Sequence, residues 1–261
     1  MATILDLIGN TPMAEIKKIN PYPNVRIFAK LEGNNPGGSV KDRPAKNMIA
    51  SAVERGDIKP GMKLIEATSG NTGIALAMIA CLYGLEIELV MPSNSTRERT
   101  LTMEAFGAKV TLLEGIELCR DYAEEKGASG EFFLLNQFAN PDNYLAHYKT
   151  TGPEIWKDTE GQITHFVSSM GTTGTIMGCS RYLKEVNPKI QIVGSTHSPY
   201  LLGRMEPREV QVTYLRDDGS TACEPLTHHP KFSKWKDEFH PGEMWSLFGE
   251  KWVSEPEVAA K

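Results

Sequence analysis

Between about residues 26 and 197 the chain alternates between short strand-like runs and longer stretches whose apolar residues recur at helical spacing. The pattern predicts strands at 26–32, 63–67, 86–91, 109–113, 131–135, 164–169 and 191–194. It predicts helices at 40–55, 71–82, 97–106, 116–125, 144–156 and 175–186. Pro44 falls in the first turn of its helix, where proline is tolerated. Alternation of this length requires an α/β fold with parallel sheets. In such sheets ligands bind at the carboxyl ends of the strands. Glycines sit at two of those strand-to-helix turns: Gly70 and Gly73 in one, Gly171 and Gly174 in the other.

The character changes after about residue 195. The remaining segment holds Trp235, Trp245 and Trp252, four of the six histidines and six prolines. One strand is legible at 210–215, followed by a turn near Gly219. Aromatic content of this kind argues for packing, because disordered tails are poor in aromatics. A strand at 191–194 would be an exposed apolar edge. The expectation is therefore that 210–215 adds to or packs over that edge, and that the tryptophans form a satellite cluster.

With 261 residues the chain has room for one or two domains and a core that needs no staples. Its 28 basic and 33 acidic residues give a net charge of -5, which argues against a nucleic-acid partner. No apolar run reaches the roughly 18 residues that span a bilayer, so no membrane partner is expected. The first residues lack a basic stretch followed by an apolar one, so the expected location is the cytoplasm. Cys81, Cys119, Cys179 and Cys223 are far apart in sequence. They make no metal or redox motif and are expected to be buried small hydrophobes, with no metal bound.

Three loops carry chemistry. The first, Asn34 to Arg43, runs through two glycines into a helix with Lys41 in its opening turn. The helix dipole disfavours a cation there, and the same field lowers its pKa. That suits a nucleophilic amine able to form a Schiff base, although a lone lysine also reads as a solvated surface group. The second, Glu66 to Gly73, places six small polar or glycine residues in a row between a strand and a helix. An ordinary N-cap accounts for one of them; a nest for a carboxylate or phosphate accounts for all. The third, Ser168 to Thr175, is a second anion cradle. It is neither a Walker A loop nor a GxGxxG fingerprint. With threonine hydroxyls and no dedicated cation, it suits a small monophosphate cofactor.

A reactive lysine and two anion sites match the needs of pyridoxal phosphate and an amino-acid substrate. The segments Ile8-Gly9-Asn10-Thr11-Pro12, GGSVKDR (37–43), EATSGNTGIALAMIA (66–80), NQFANPDN (136–143), TTGPEIW (150–156) and HFVSSMGTTGTIMG (165–178) resemble those of the cysteine synthase family, and within it the B-type O-acetylserine sulfhydrylases. The resemblance covers about residues 4–195. It implies fold-type II of the pyridoxal-phosphate enzymes: two three-layer α/β domains with mostly parallel sheets, the larger one incomplete or altered at its C-terminus. The implied division is a discontinuous cofactor domain (1–36 and 142–195), a small substrate-loop domain (37–141) and an atypical segment (196–261).

The resemblance also implies roles. Lys41 carries the cofactor, pyridoxal 5'-phosphate, and removes the substrate α-proton. Asn71 holds the cofactor's ring hydroxyl. Gly171, Thr172, Thr173, Gly174 and Thr175 cradle its phosphate. Thr68, Ser69, Thr72 and Gln137 grip the substrate carboxylate. The implied reaction is β-replacement: O-acetylserine loses acetate and gains sulfide, or thiosulfate, to give cysteine or S-sulfocysteine. The implied assembly is a homodimer.

After residue 195 the resemblance ends. No GxSSGG-like segment follows, so the small hydroxyl residue that the family places at the pyridine nitrogen is not found. The nearest polar cluster, Gly219 to Cys223, lacks the surrounding pattern. Weaker cofactor retention is the consequence expected. Two alternative readings follow. One is a β-eliminase acting on serine or threonine, against which the GNNPGGSVKDR and SGNTG stretches argue. The other is a catalytically impaired relative with a binding or assembly role.

Overall fold

Glu88 interrupts an otherwise apolar strand and still lies in the core. The reason is the sheet around it. In the computed structural model, which describes residues 2–68, 70–216, 218–236, 238–249 and 253, strands β3 (Lys63–Ala67), β4 (Ile87–Pro92), β5 (Lys109–Leu113) and β6 (Phe132–Leu134) form one sheet. Their order is β5-β4-β3-β6 and all pairs are parallel. A parallel strand covered on both faces reads as a continuous apolar run, and β4 is buried at every position. The Glu88 carboxylate is tolerated because Lys109, Thr111 and Tyr122 donate to it at 3.0, 2.7 and 3.1 Å.

Helices α1 (Asp42–Arg55), α2 (Asn71–Tyr83) and α3 (Arg97–Ala105) cover one face of this sheet. Helix α4 (Gly115–Ala128) covers the other through Cys119 and Ala123. Helix α2 is apolar nearly all round, as a helix in the middle of a core must be. The chain builds outward from β3 to β4 to β5, and α4 then returns it to β6 on the far side of β3. Strand order thus reverses between β3 and β6, and the crevice at their carboxyl ends is where sheets of this topology bind ligands.

A second layered region follows. Helix α5 (Pro141–Ala146), a π-helical turn (His147–Thr151) and helix α6 (Gly152–Asp158) run on without a break in helical backbone. The predicted helix at 144–156 is therefore longer than read, and it carries a widened turn that apolar spacing does not reveal. It packs on helix α7 (Gly174–Val186) so closely that Gly178 has no room for a Cβ beside the Tyr144 carbonyl. Strands β7 (His165–Ser169) and β8 (Gln191–Ser195) flank α7 and form a two-stranded sheet. Phe166, Ile190 and Ile192 pack with Ile155, Cys179 and Leu183 on its inner face. On the outer face Val167 is 68% exposed and Val193 46%. Strands β1 (Met13–Glu15) and β2 (Phe28–Lys30) pair antiparallel; at three residues, β1 is too short to show a period. The predicted helix at 40–55 begins two residues later, at Asp42.

The backbone divides into two units, Met1–Gly194 and Ser195–Lys261. The second has its own core of Val210, Val212, Leu226, Phe232, Met244 and Val253, with Tyr214, Trp235, Phe239 and Trp245 packed against it. Strand β9 (Gln211–Leu215) pairs antiparallel with β10 (Thr221–Pro225). The segment 210–215 therefore does not add to the sheet at 191–194, which corrects that half of the expectation. A five-residue turn, with Gly219 at φ +79°, closes a hairpin at less entropic cost than a distant pairing. Trp235 and Trp245 join the cluster as expected; Trp252 lies outside the described residues. Two cysteines also depart from expectation. Cys119 and Cys179 are buried, but Cys81 and Cys223 are exposed, Cys223 because β10 alternates and Ala222 takes the inner position.

Candidate active site

Lys41 caps α1 with its backbone in the helical region. Its backbone N–H reaches Ser39 Oγ at 3.2 Å. Its ammonium makes no hydrogen bond or ion pair among the described residues, and burial holds its pKa below the usual lysine value. Burial, rather than the dipole field inferred from sequence, supplies the shift. The next two residues fix the helix end. Asp42 is fully buried: Oδ2 accepts the Gly37 N–H at 2.5 Å, Oδ1 has no partner among the described residues, and burial raises the carboxyl pKa to about 6. A Cβ on Gly37 would strike that carboxylate, so the glycine is required there.

Arg43, its side chain 2% exposed, donates to both oxygens of Glu32 at 2.7 and 2.8 Å and to both oxygens of Glu154 at 2.7 Å. Lys30 joins Glu154 and Asp158 at 3.0 and 2.9 Å. Burial alone would raise the Glu154 carboxyl, but Arg43, the Asn10 N–H and Lys30 together draw it down to about 2. This ion network ties residues 10–11, 32, α1 and α6 into one body around the base of Lys41.

The second loop leaves β3 toward α2. Thr68 and Thr72 are buried, Asn71 is exposed at the first position of α2, and Ser69 lies outside the described residues. Gly70, at the N-cap of α2, has no side chain to cap it. Gln137, on the loop after β6, closes over the same strand end. Its Nε2 donates to the Ala67 carbonyl at 3.3 Å and its backbone N–H to Glu66 Oε1 at 3.2 Å. Among the described residues Glu66 Oε2 has no partner, and burial raises the carboxyl pKa to about 7. Thr68, Thr72 and Gln137 therefore flank the reversal of strand order between β3 and β6.

The third loop leads from β7 to α7. Thr173 stands at φ +63° and its side chain does not cap the helix, so the first N–H groups of α7 are left for another acceptor. Open space lies where a Gly171 Cβ would project, whereas Gly174 is pressed against Asn143. The Asn143 amide donates to the Gln137 carbonyl at 2.7 Å and to Thr172 Oγ1 at 3.2 Å. Thr175 Oγ1 stands 3.3 Å from Nε2 of His147. Asn143 thus joins the second loop to the third. His147, on the same helical run, meets the third loop at Thr175. No hydrogen bond connects Asn71 or Thr173 to the other predicted residues among those described.

Asn143, His147 and Thr151 escaped the sequence reading. All three are buried and spaced four apart on one helical run, so they form a polar stripe facing the interior. That spacing is the signal that could have revealed them. The donor set of the third loop consists of backbone N–H groups and hydroxyls, with no carboxylate in the loop. It fits a small phosphate-bearing group.

Fold and site together define a member of the pyridoxal-phosphate dependent enzymes. The chain matches that family over residues 4–233 and belongs to it. The match continues into the second unit, past the point where the motifs end, and the architecture is that of fold-type II. Cysteine synthase B of Pseudomonas aeruginosa is 58% identical over 195 residues, which cover 74% of this chain and 65% of that protein. Cysteine synthase B of Escherichia coli is 56% identical over 197 residues, with the same coverage of each. The chain spans about 65% of the length of these relatives. A solved cysteine synthase of Entamoeba histolytica superposes with a TM-score of 0.73 at 39% identity, over 77% of this chain and 62% of that one. No helix among the described residues is long and apolar enough to cross a membrane.

Proposed function

We propose that the chain is a cysteine synthase, replacing the acetate of O-acetylserine with sulfide, or with thiosulfate to give S-sulfocysteine. The observation that carries this reading is the single helical run that meets all three loops: Asn143 bonds Gln137, at the end of β3, and Thr172, His147 meets Thr175, and Arg43, two residues from Lys41, bonds Thr150 and Glu154. Pyridoxal phosphate, held at Gly171 to Thr175 and by Asn71, supplies the electron sink for a carbanion at the substrate α-carbon. Thr68, Ser69, Thr72 and Gln137 hold the substrate carboxylate against the N-terminal end of α2. The Lys41 amine, its pKa lowered by burial, takes the α-proton as general base. The ion network around Arg43 keeps that amine in place.

In the same reading residues 37–141 act as the substrate-loop domain and residues 1–36 with 142–195 as the cofactor domain, in a cytoplasmic homodimer. Identity above 50% to two cysteine synthases B supports the choice of reaction. The test is product analysis of the purified chain with pyridoxal phosphate, O-acetylserine and sulfide. Cysteine and acetate in equal amounts are expected. Pyruvate and ammonia instead would mark an eliminase, and retention of the cofactor without turnover would mark an impaired relative.

A further inference from the structure

The buried imidazole of His147 has no part in the reaction above, yet it stands between the protein interior and the third loop. It is 1% exposed, with Nδ1 2.9 Å from Thr151 Oγ1 and Nε2 3.3 Å from Thr175 Oγ1. Each of these three groups can donate one hydrogen, so the direction of the chain can be settled by counting. Thr151 is buried as well, and among the described residues its hydroxyl has no partner other than His147 Nδ1. If Nδ1 carried the proton, the buried Thr151 hydrogen would be left without an acceptor, which is the costlier arrangement. If Nδ1 is bare, Thr151 donates to it, Nε2–H donates to Thr175 Oγ1, and the Thr175 hydrogen is released toward the loop.

We infer that His147 is a positioning residue, held as the Nε2–H tautomer, which turns the Thr175 hydroxyl into a donor aimed at the phosphate of the bound cofactor. The inference rests on the proposed phosphate cradle at Gly171 to Thr175. The imidazole stays neutral, since burial and then the charges of Arg43 and Lys41 lower its pKa to about 3. A neutral ring with a fixed tautomer can serve as a relay without competing with the cofactor for charge. The π-helical turn at His147–Thr151 places Thr151 beside the ring, and π-turns of this kind recur at functional sites. The bare face of Gly178, packed against the Tyr144 carbonyl and His147 Cβ, lets α7 bring Thr175 within reach.

Two measurements test this. Long-range proton–nitrogen NMR on the full chain loaded with pyridoxal phosphate should find His147 protonated at Nε2 and bare at Nδ1. The opposite tautomer overturns the inference. The second compares dissociation constants for pyridoxal phosphate and for pyridoxal, which lacks the phosphate. His147→Met should weaken the phosphorylated form about tenfold and leave pyridoxal unchanged, and His147→Gln, which keeps an N–H donor, should restore much of the loss. Adding Thr175→Val to His147→Met should cost little more, because both act through one hydrogen bond. Equal losses for both ligands, or no loss, overturn the role of His147. A wild-type chain that does not prefer pyridoxal phosphate to pyridoxal instead overturns the phosphate cradle itself.

Discussion

The sheet built on β3 and β4 is covered on both faces, whereas the β7–β8 pair is covered on one. Leu89 at the centre of β4 is wholly buried, while Val167 and Val193, in the equivalent interior of their strands, face outward. Both regions nevertheless carry a strand-to-helix loop at the start of a packed helix. What distinguishes the two loops is support: the loop after β3 is held by Gln137 and Glu66 within a closed sandwich, the loop after β7 by the stripe Asn143–His147–Thr151.

The sharpest break comes at Lys41, over the closed sheet. Lys41→Ala should lower cysteine formation by at least about a thousandfold, as removal of a general base commonly does, while thermal unfolding is unchanged. Turnover near that of the parent chain would remove Lys41 from the chemistry. The next largest effect contrasts the two sheets directly. Leu89→Ala should cost about 2–5 kcal/mol through the cavity it leaves, and Val193→Thr should stay within about 0.5 kcal/mol. Urea titration of the two variants reads the difference, and comparable losses would mean that the ribbon's outer face is covered in solution.

A smaller effect probes the open region's loop. Thr172→Val with Thr175→Val should weaken pyridoxal phosphate by about 1–3 kcal/mol, from lost hydrogen bonds to an anion; an unchanged dissociation constant places the phosphate elsewhere. The smallest is a pH effect in the closed region. Glu66 is neutral in the fold up to about pH 7, against about 4.5 when unfolded. The stability this gives is present below about 4.5 and is lost as pH rises through 7. Glu66→Gln stays neutral, so its advantage over the parent chain should grow between about pH 5 and about pH 8. A constant difference across that range would show that Glu66 ionises normally.

Much of this was legible in the sequence because the period of each element is local. Runs such as IELVMP and NTGIALAMIA announce a strand and a helix that are buried on all sides. The polar loops that follow β3 and β7 announce strand-to-helix turns, the places where helix N-termini expose N–H groups. Strand β1 escaped because its three residues carry no period. The tail's second strand escaped because TACEP alternates too weakly to be seen before the hairpin closes.

By itself, then, the sequence determined the α/β alternation, the three loops and the candidate lysine, all of which follow from near neighbours along the chain. Only the tertiary structure decided that Glu66 and Asp42 keep a carboxylate oxygen without a partner among the described residues, that Arg43 binds two glutamates, and that Asn143 and His147 bridge loops far apart in sequence. Those facts depend on which surfaces exclude water and which side chains meet across 11 to 111 positions. Burial sets the charge state of such groups, and burial is a property of the packed molecule, not of the residue.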